Sequence, residues 1–212
     1  MNDANVQTGS IEPHIVQMEP GVKESATILS AQLIDLHIIW TQYCQLYEDA
    51  GSVEVLNRSA GLFFKIVQDV LWDRVLLGIC RFIDPAEAKG GKNKNLTLRS
   101  LAPLIADIEL KGKVQDACNA ALSSAEFALN HRNKRIAHQD HYYATAPELF
   151  EMSPVSRRSV EEMLENLRAV MRLIDSHYND TDVLYDKTVL VSGADRVVVK
   201  LKKLEKLVGP SI

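Results

Sequence analysis

The chain has 212 residues, of which 46% are hydrophobic and 25% charged, a balance that gives a folded protein with a sizeable core and excludes wholesale disorder. Ten Gly, seven Pro and 6% aromatic residues exclude collagen-like or low-complexity sequence and argue against a turn-rich β-sandwich. The net charge of -4, from 24 basic and 28 acidic residues, excludes a protein that coats nucleic acid through a global positive field, so any such contact has to be a local patch.

Cys44, Cys80 and Cys118 show no C-x-x-C spacing and predict neither a disulfide framework nor a zinc site. The apolar runs are broken by Asp35, His37, Asp69 and Asp73, so no segment is expected to span a bilayer. The N-terminal stretch lacks the basic start and apolar run of a signal peptide. A cytoplasmic protein is the expectation, with no metal and no cofactor.

Residues 1–20 have no periodicity and are read as a flexible N-terminal arm, ahead of one helical domain over 21–212. Leu29, Leu33, Leu36, Trp40, Tyr43 and Tyr47 recur at spacings of four and three, which predicts an amphipathic helix over 22–49 ended by Gly51-Ser52. Residues 53–84 predict a second long helix, apolar nearly all round. Such a helix is buried on several sides or faces a second subunit as well. Arg74 and Arg81, with Asp73 and Asp84 nearby, predict a partly buried ion-pair ladder along it. Asp84-Pro85 stops it, and residues 86–95 form a basic loop without P-loop spacing.

Asn95 or Thr97 caps a short helix over 98–108, and Gly112 marks a break. A fourth helix is expected over 113–139 with the stripe Val114, Cys118, Ala121, Ala125 and Leu129. A crossover loop over 141–157 follows, and Ser159 with Glu162 reads as a capping box for a helix over 160–178, faced by Leu164, Leu167, Val170, Met171 and Ile174. In the tail, Val197, Leu201, Leu204 and Val208 share one face of a helix, with a β-hairpin around Ser192-Gly193 as the alternative. The fold class is therefore all-α, an up-and-down bundle of five to six helices with a C-terminal helix.

One segment concentrates chemistry. Residues 130–141 read Asn-His-Arg-Asn-Lys-Arg-Ile-Ala-His-Gln-Asp-His and hold three of the chain's six histidines. Stepping about 100° per residue from Leu129 puts Arg132 and Asn133 on the continuation of the buried face, where they need partners. His131, Arg135 and His138 fall together on the other side, where cations suit a helix C-terminus. Arg offers a permanent fork for phosphate, and His takes or gives a proton near neutral pH. Such a pair can cleave RNA without metal. Asp140 is placed to pair with His138 or Arg135.

The spacing Arg132-Asn133 through His138 resembles the R-x(4–6)-H motif of the HEPN superfamily, in its abortive-infection (AbiU-like) branch. The same R-x(4–6)-H pattern also fits Arg135/His141 and Arg172/His177. The first pair is singled out by its setting, Arg-Asn-Lys ahead of Ile-Ala-His-Gln-Asp after an Ala-rich helix. Leu77-Gly78-Ile79-Cys80-Arg81-Phe82-Ile83-Asp84, then Asn95-Leu96-Thr97-Leu98, also resembles that branch. The resemblance covers roughly residues 25–180.

It implies a metal-independent endoribonuclease of a bacterial defence or toxin–antitoxin system, or else a non-catalytic module that binds RNA, a nucleotide or a partner protein. Arg132 would hold phosphate and His138 would act as acid/base. Asn133, Arg135, His131 and Asp140 would support the site or bind RNA. The implied partners are RNA as substrate, a second copy in a homodimer with the Arg–His motifs of two chains lining one cleft, and an antitoxin or nucleotidyltransferase. On an unbroken helix Arg132 and His138 point about 120° apart. Convergence on one phosphate therefore requires a helix end near Ile136 or a second chain.

Overall fold

The computed structural model describes residues 17–87, 94–133, 156–188 and 191–208. Its α-helices are α1 (Pro20–Tyr47), α2 (Ala50–Ile83), α3 (Ile108–Ser124), α4 (Glu126–His131), α5 (Arg157–Asn179) and α6 (Asp195–Val208). The fold is all-α, as the periodicity predicts. The expected arm over 1–20 lies outside the described residues except for its last four positions, and α1 opens at Pro20. No helix among the described residues is long and apolar enough to cross a membrane.

α1 and α2 form a helical hairpin. Leu29, Leu33, Leu36, Trp40, Tyr43 and Tyr47 are all buried, so the α1 stripe faces the core as its spacing dictates. Trp40 stacks on Tyr43 with ring centroids 5.3 Å apart, and Trp72 of α2 closes on both. The turn differs from expectation. Asp49 caps α2 by accepting from the Ser52 N–H at 2.7 Å, and Gly51-Ser52 lies inside the helix. α2 bends at Ala60, whose φ of -161° and ψ of 67° are extended.

Further along, α1 and α2 approach closely. A Cβ on Gly78 would lie 2.7 Å from Leu36 Cδ1, and Leu36 is buried. Gly78→Val is therefore expected to cost about 2 kcal/mol through overpacking. A lowered urea midpoint with unchanged slope would record it, and an unchanged midpoint would show that Leu36 yields freely.

α3 and α5 form the other main contact. Val114, Cys118 and Ala121 of α3 meet a face of α5 on which Leu164, Leu167, Val170, Met171 and Ile174 are at most 1% exposed. The cap of α5 is Ser156, whose hydroxyl accepts from the Ser159 N–H at 3.0 Å, one turn earlier than Ser159 itself. Asp180 closes the helix in the left-handed region, at φ 47°. α6 is a helix and excludes the hairpin alternative, but it is rotated from the predicted face. Val198 is buried, whereas Val197 and Leu204 are exposed.

Two boundaries before the candidate site also differ. Residues 98–104 form two 3₁₀ turns rather than one helix, because Pro103 removes a donor within the segment. α3 starts at Ile108, capped by Asp107, and Gly112 lies within it without breaking it. The expected single helix over 113–139 is instead divided at Ala125, whose ψ is 0°.

Candidate functional site

The division at Ala125 builds the site. Ser123 and Ser124 donate side-chain hydrogen bonds to the Asn119 and Ala121 carbonyls, and Asn166 of α5 donates to the Ser124 hydroxyl at 2.8 Å. Such back-bonding competes with the helix ladder. The redirected chain, α4, packs against α2 with Phe127 and Ala128 buried. That packing carries Arg132, the residue after α4, to the C-terminal end of α2.

There Arg132 meets Asp84. Arg132 Nη1 donates to Asp84 Oδ1 at 2.5 Å, and the two side chains are 25% and 32% exposed. Asp84 is the C-cap of α2, its own N–H donating to the Cys80 carbonyl at 2.9 Å, and Pro85 follows. Arg132 Nε donates to Asn133 Oδ1 at 3.1 Å. The guanidinium is thus fixed by two of its three nitrogens. Among the described residues Nη2 has no hydrogen-bond partner. Burial by itself lowers the Arg132 pKa, but the Asp84 hydrogen bond and charge outweigh it and hold the guanidinium above its ordinary value. Cys80 lies beside the pair, its thiol pushed up to about 11 by burial, so it is a small core hydrophobe there and not a nucleophile.

The sequence-predicted residues fall in three groups. Arg132 and Asn133 are adjacent as expected, but Asn133 is exposed rather than on the buried face. His131, expected on the solvent side, is buried at 7% exposure in the last turn of α4. Both corrections follow from the break at Ala125, which resets the helical phase that Leu129 was used to define. His138, Arg135 and Asp140 lie outside the described residues.

The expected ladder on α2 is not formed. Arg74 and Arg81 are exposed, and Asp84 pairs across to Arg132. Asp84 is the candidate-site residue that sequence reasoning did not pair with Arg132. Its signal was present, since it ends the Leu77–Asp84 stretch and precedes a helix-stopping proline. Among the described residues no group of His, Cys, Asp and Glu is arranged to hold a metal ion.

A fixed, partly buried guanidinium can bind a phosphate group and stabilise added charge on it. It supplies no proton transfer of its own. The ends of the loop before the site are tied, with Asn95 donating to the Pro85 carbonyl at 2.9 Å and to the Ala86 carbonyl at 2.8 Å.

No curated protein and no solved structure matches the chain. The family model HEPN_AbiU2, described as AbiU2, matches residues 22–192, which takes in the α1–α2 hairpin, the Asp84–Arg132 corner and α5. The chain therefore belongs to the AbiU2 family of HEPN domains.

Proposed function

We propose that this chain is a metal-independent endoribonuclease of a bacterial defence or toxin–antitoxin system. Arg132 holds the scissile phosphate. The RNA 2′-oxygen bonds to phosphorus as the bond to the 5′-oxygen breaks, leaving a 2′,3′-cyclic phosphate and a 5′-hydroxyl. His138 takes the 2′-hydroxyl proton or returns one to the 5′-oxygen, and water exchanges the other proton. Arg132 stabilises the negative charge that builds on the phosphorane. Asn133 and Arg135 assist in RNA contact, with Asp140 orienting His138. His131 supports the site from within the core. The active protein is a cytoplasmic homodimer, and an antitoxin or nucleotidyltransferase restrains it.

The observation that carries this reading is the Asp84–Arg132 pair. It holds a cation in a defined place at the junction of two helices within a matched HEPN domain. The test compares wild type and His138→Ala on a mixed RNA pool in EDTA, with product ends mapped. Discrete cuts ending in 2′,3′-cyclic phosphate, lost in the variant, are expected. Equal cutting by both proteins would overturn the role of His138.

The same pair favours a second reading. Asp84 already neutralises Arg132, which suits a module that binds RNA, a nucleotide or a partner protein without turnover. In that case neither protein cuts, and RNA binding still depends on Arg132.

A further inference from the structure

Between the N-terminal half of α1 and the C-terminal half of α5 lies an open cavity of about 830 Å³. That is the size of a small-molecule site. Lys23, Thr27, Ser30 and Ile34 of α1 line it, with Asp175 and Tyr178 of α5. None of its lining residues belongs to the Asp84–Arg132 corner, so the RNA chemistry proposed above does not use it.

Asp175 is the buried acid of this cavity. It is 7% exposed, and its Oδ2 accepts from the Tyr185 hydroxyl at 2.6 Å. Its Oδ1 has no hydrogen-bond or ion-pair partner among the described residues. That oxygen is not sealed from solvent, so it opens on the cavity that Asp175 lines. A carboxylate buried without a countercharge is costly. Burial pushes the Asp175 carboxyl above its ordinary range, against the pull of the Tyr185 hydrogen bond.

The hydroxyls around it have no proton left to offer. Tyr185 spends its single proton on Asp175, so in the 3.0 Å contact between Ser30 Oγ and the Tyr185 oxygen it is Ser30 that donates. Thr27 Oγ1 donates to the Lys23 carbonyl at 2.8 Å, and Tyr178 donates to Glu19 Oε2 at 2.6 Å. Asp175, Ser30 and Thr27 therefore turn acceptors alone toward the cavity. Their complement is a group that carries donors alone, and an ammonium carries three. A hard metal ion fits less well, because it takes six or more oxygens and here a single carboxylate stands beside Ile34.

Lys23 sets the other end. It comes seven residues before Ser30, about 10 Å away along the same face of α1. It is exposed and makes no ion pair among the described residues. A second cation on the ligand would be repelled there, and an anion would be held.

We propose that this cavity binds a small organic zwitterion, its ammonium on Asp175 and Ser30 and its carboxylate turned outward to Lys23. The spacing of the two ends calls for an extended aliphatic spacer, as in 6-aminohexanoate.

Isothermal titration calorimetry of the full chain with 6-aminohexanoate, hexylamine and hexanoate tests this without reference to RNA. The zwitterion is expected to bind with a dissociation constant of about 1 mM or tighter, hexylamine more weakly and hexanoate not at all. Asp175→Asn keeps an oxygen for Tyr185 and turns amide donors toward the ligand, so it should weaken binding of 6-aminohexanoate at least about 30-fold. Ser30→Ala leaves the Asp175–Tyr185 bond in place and should weaken it about 5-fold, which decides the point if Asp175→Asn does not fold. Lys23→Gln should remove the advantage of 6-aminohexanoate over hexylamine. No binding of either amine at about 10 mM would overturn the proposal, as would affinity unchanged in both Asp175→Asn and Ser30→Ala. Hexylamine binding as tightly as 6-aminohexanoate to the wild type would overturn the role of Lys23.

Discussion

Arg132→Ala is expected to lower RNA cleavage by about 10² to 10³-fold, the usual loss when one fixed donor to a developing oxyanion is removed. Arg132→Lys keeps the charge and loses the planar fork that engages Asp84 and phosphate together, so it should recover little of the activity. In the proposed mechanism Asp84 acts through Arg132 as a positioning residue. Asp84→Asn is expected to cost about 10- to 100-fold in turnover, because a displaced guanidinium no longer meets the phosphorane in line. Asp84→Glu should rescue part of that loss, which a purely structural role for the helix cap would not give. Single-turnover cleavage with excess protein reads the chemical step directly. Full activity in Arg132→Ala would remove this residue from the site, and full activity in Asp84→Asn would reduce the ion pair to a structural staple.

The second large effect is on stability against acid. His37 is 4% exposed between α1 and α5, with its Nε2 3.3 Å from Arg168 Nη1. A guanidinium only donates, so Nε2 accepts and the ring is neutral with its proton on Nδ1. Burial first, and the Arg168 charge second, lower the His37 pKa to about 4, against the pull of Asp186 and Glu165. The unfolded chain protonates this histidine below about 6.5, while the folded chain does not until about 4. The unfolded state therefore holds more protons throughout that window. Stability is complete above pH 6.5 and falls as the pH drops toward 4, by at most about 3 kcal/mol.

His37→Gln offers an accepting oxygen to Arg168 and does not titrate, so its stability should stay flatter over the same range. Glu165 and Glu19 act in a different window. Hydrogen bonds from Arg168 and from Tyr178 hold their carboxyls below the usual range, and their contributions are lost only at lower pH. Urea midpoints of both proteins from pH 7 to 4 decide the point. Parallel profiles would show that His37 charges without penalty in the folded protein.

The stripes of α1 and α5 were fully legible in the sequence. Leu29 to Tyr47 and Leu164 to Ile174 are set by helical periodicity alone, and every residue named there is buried. Periodicity failed where a single residue resets the phase. Ala125 carries no Gly or Pro signal, and only the weak Ser123-Ser124 pair before it marks the break. An unbroken helix through Ala125 places His131 outside and Asn133 inside, the reverse of what the structure has. α2 failed for another reason. Apolar composition shows that a helix can be buried on several sides, but not along which of its turns, and no residue between Leu56 and Val75 is buried. At this corner, the need of Arg132 for a partner could be read from the sequence. Its partner Asp84 could not, because that pairing depends on how α4 docks on α2, a relation between segments about fifty residues apart.

The Asp84–Arg132 pair also sets a threshold on what the corner can hold. An anion that takes the guanidinium releases a carboxylate beside the negative end of α2, so exchange of one negative group for another gains little. A small mononucleotide replaces one contact with a similar one. Under the function proposed above, a long RNA brings neighbouring phosphates as well, and contacts beyond this corner have to outweigh the displaced acid. On that function, occupancy of this corner is expected to climb steeply with strand length, which would sort polymers from metabolites before any base is recognised.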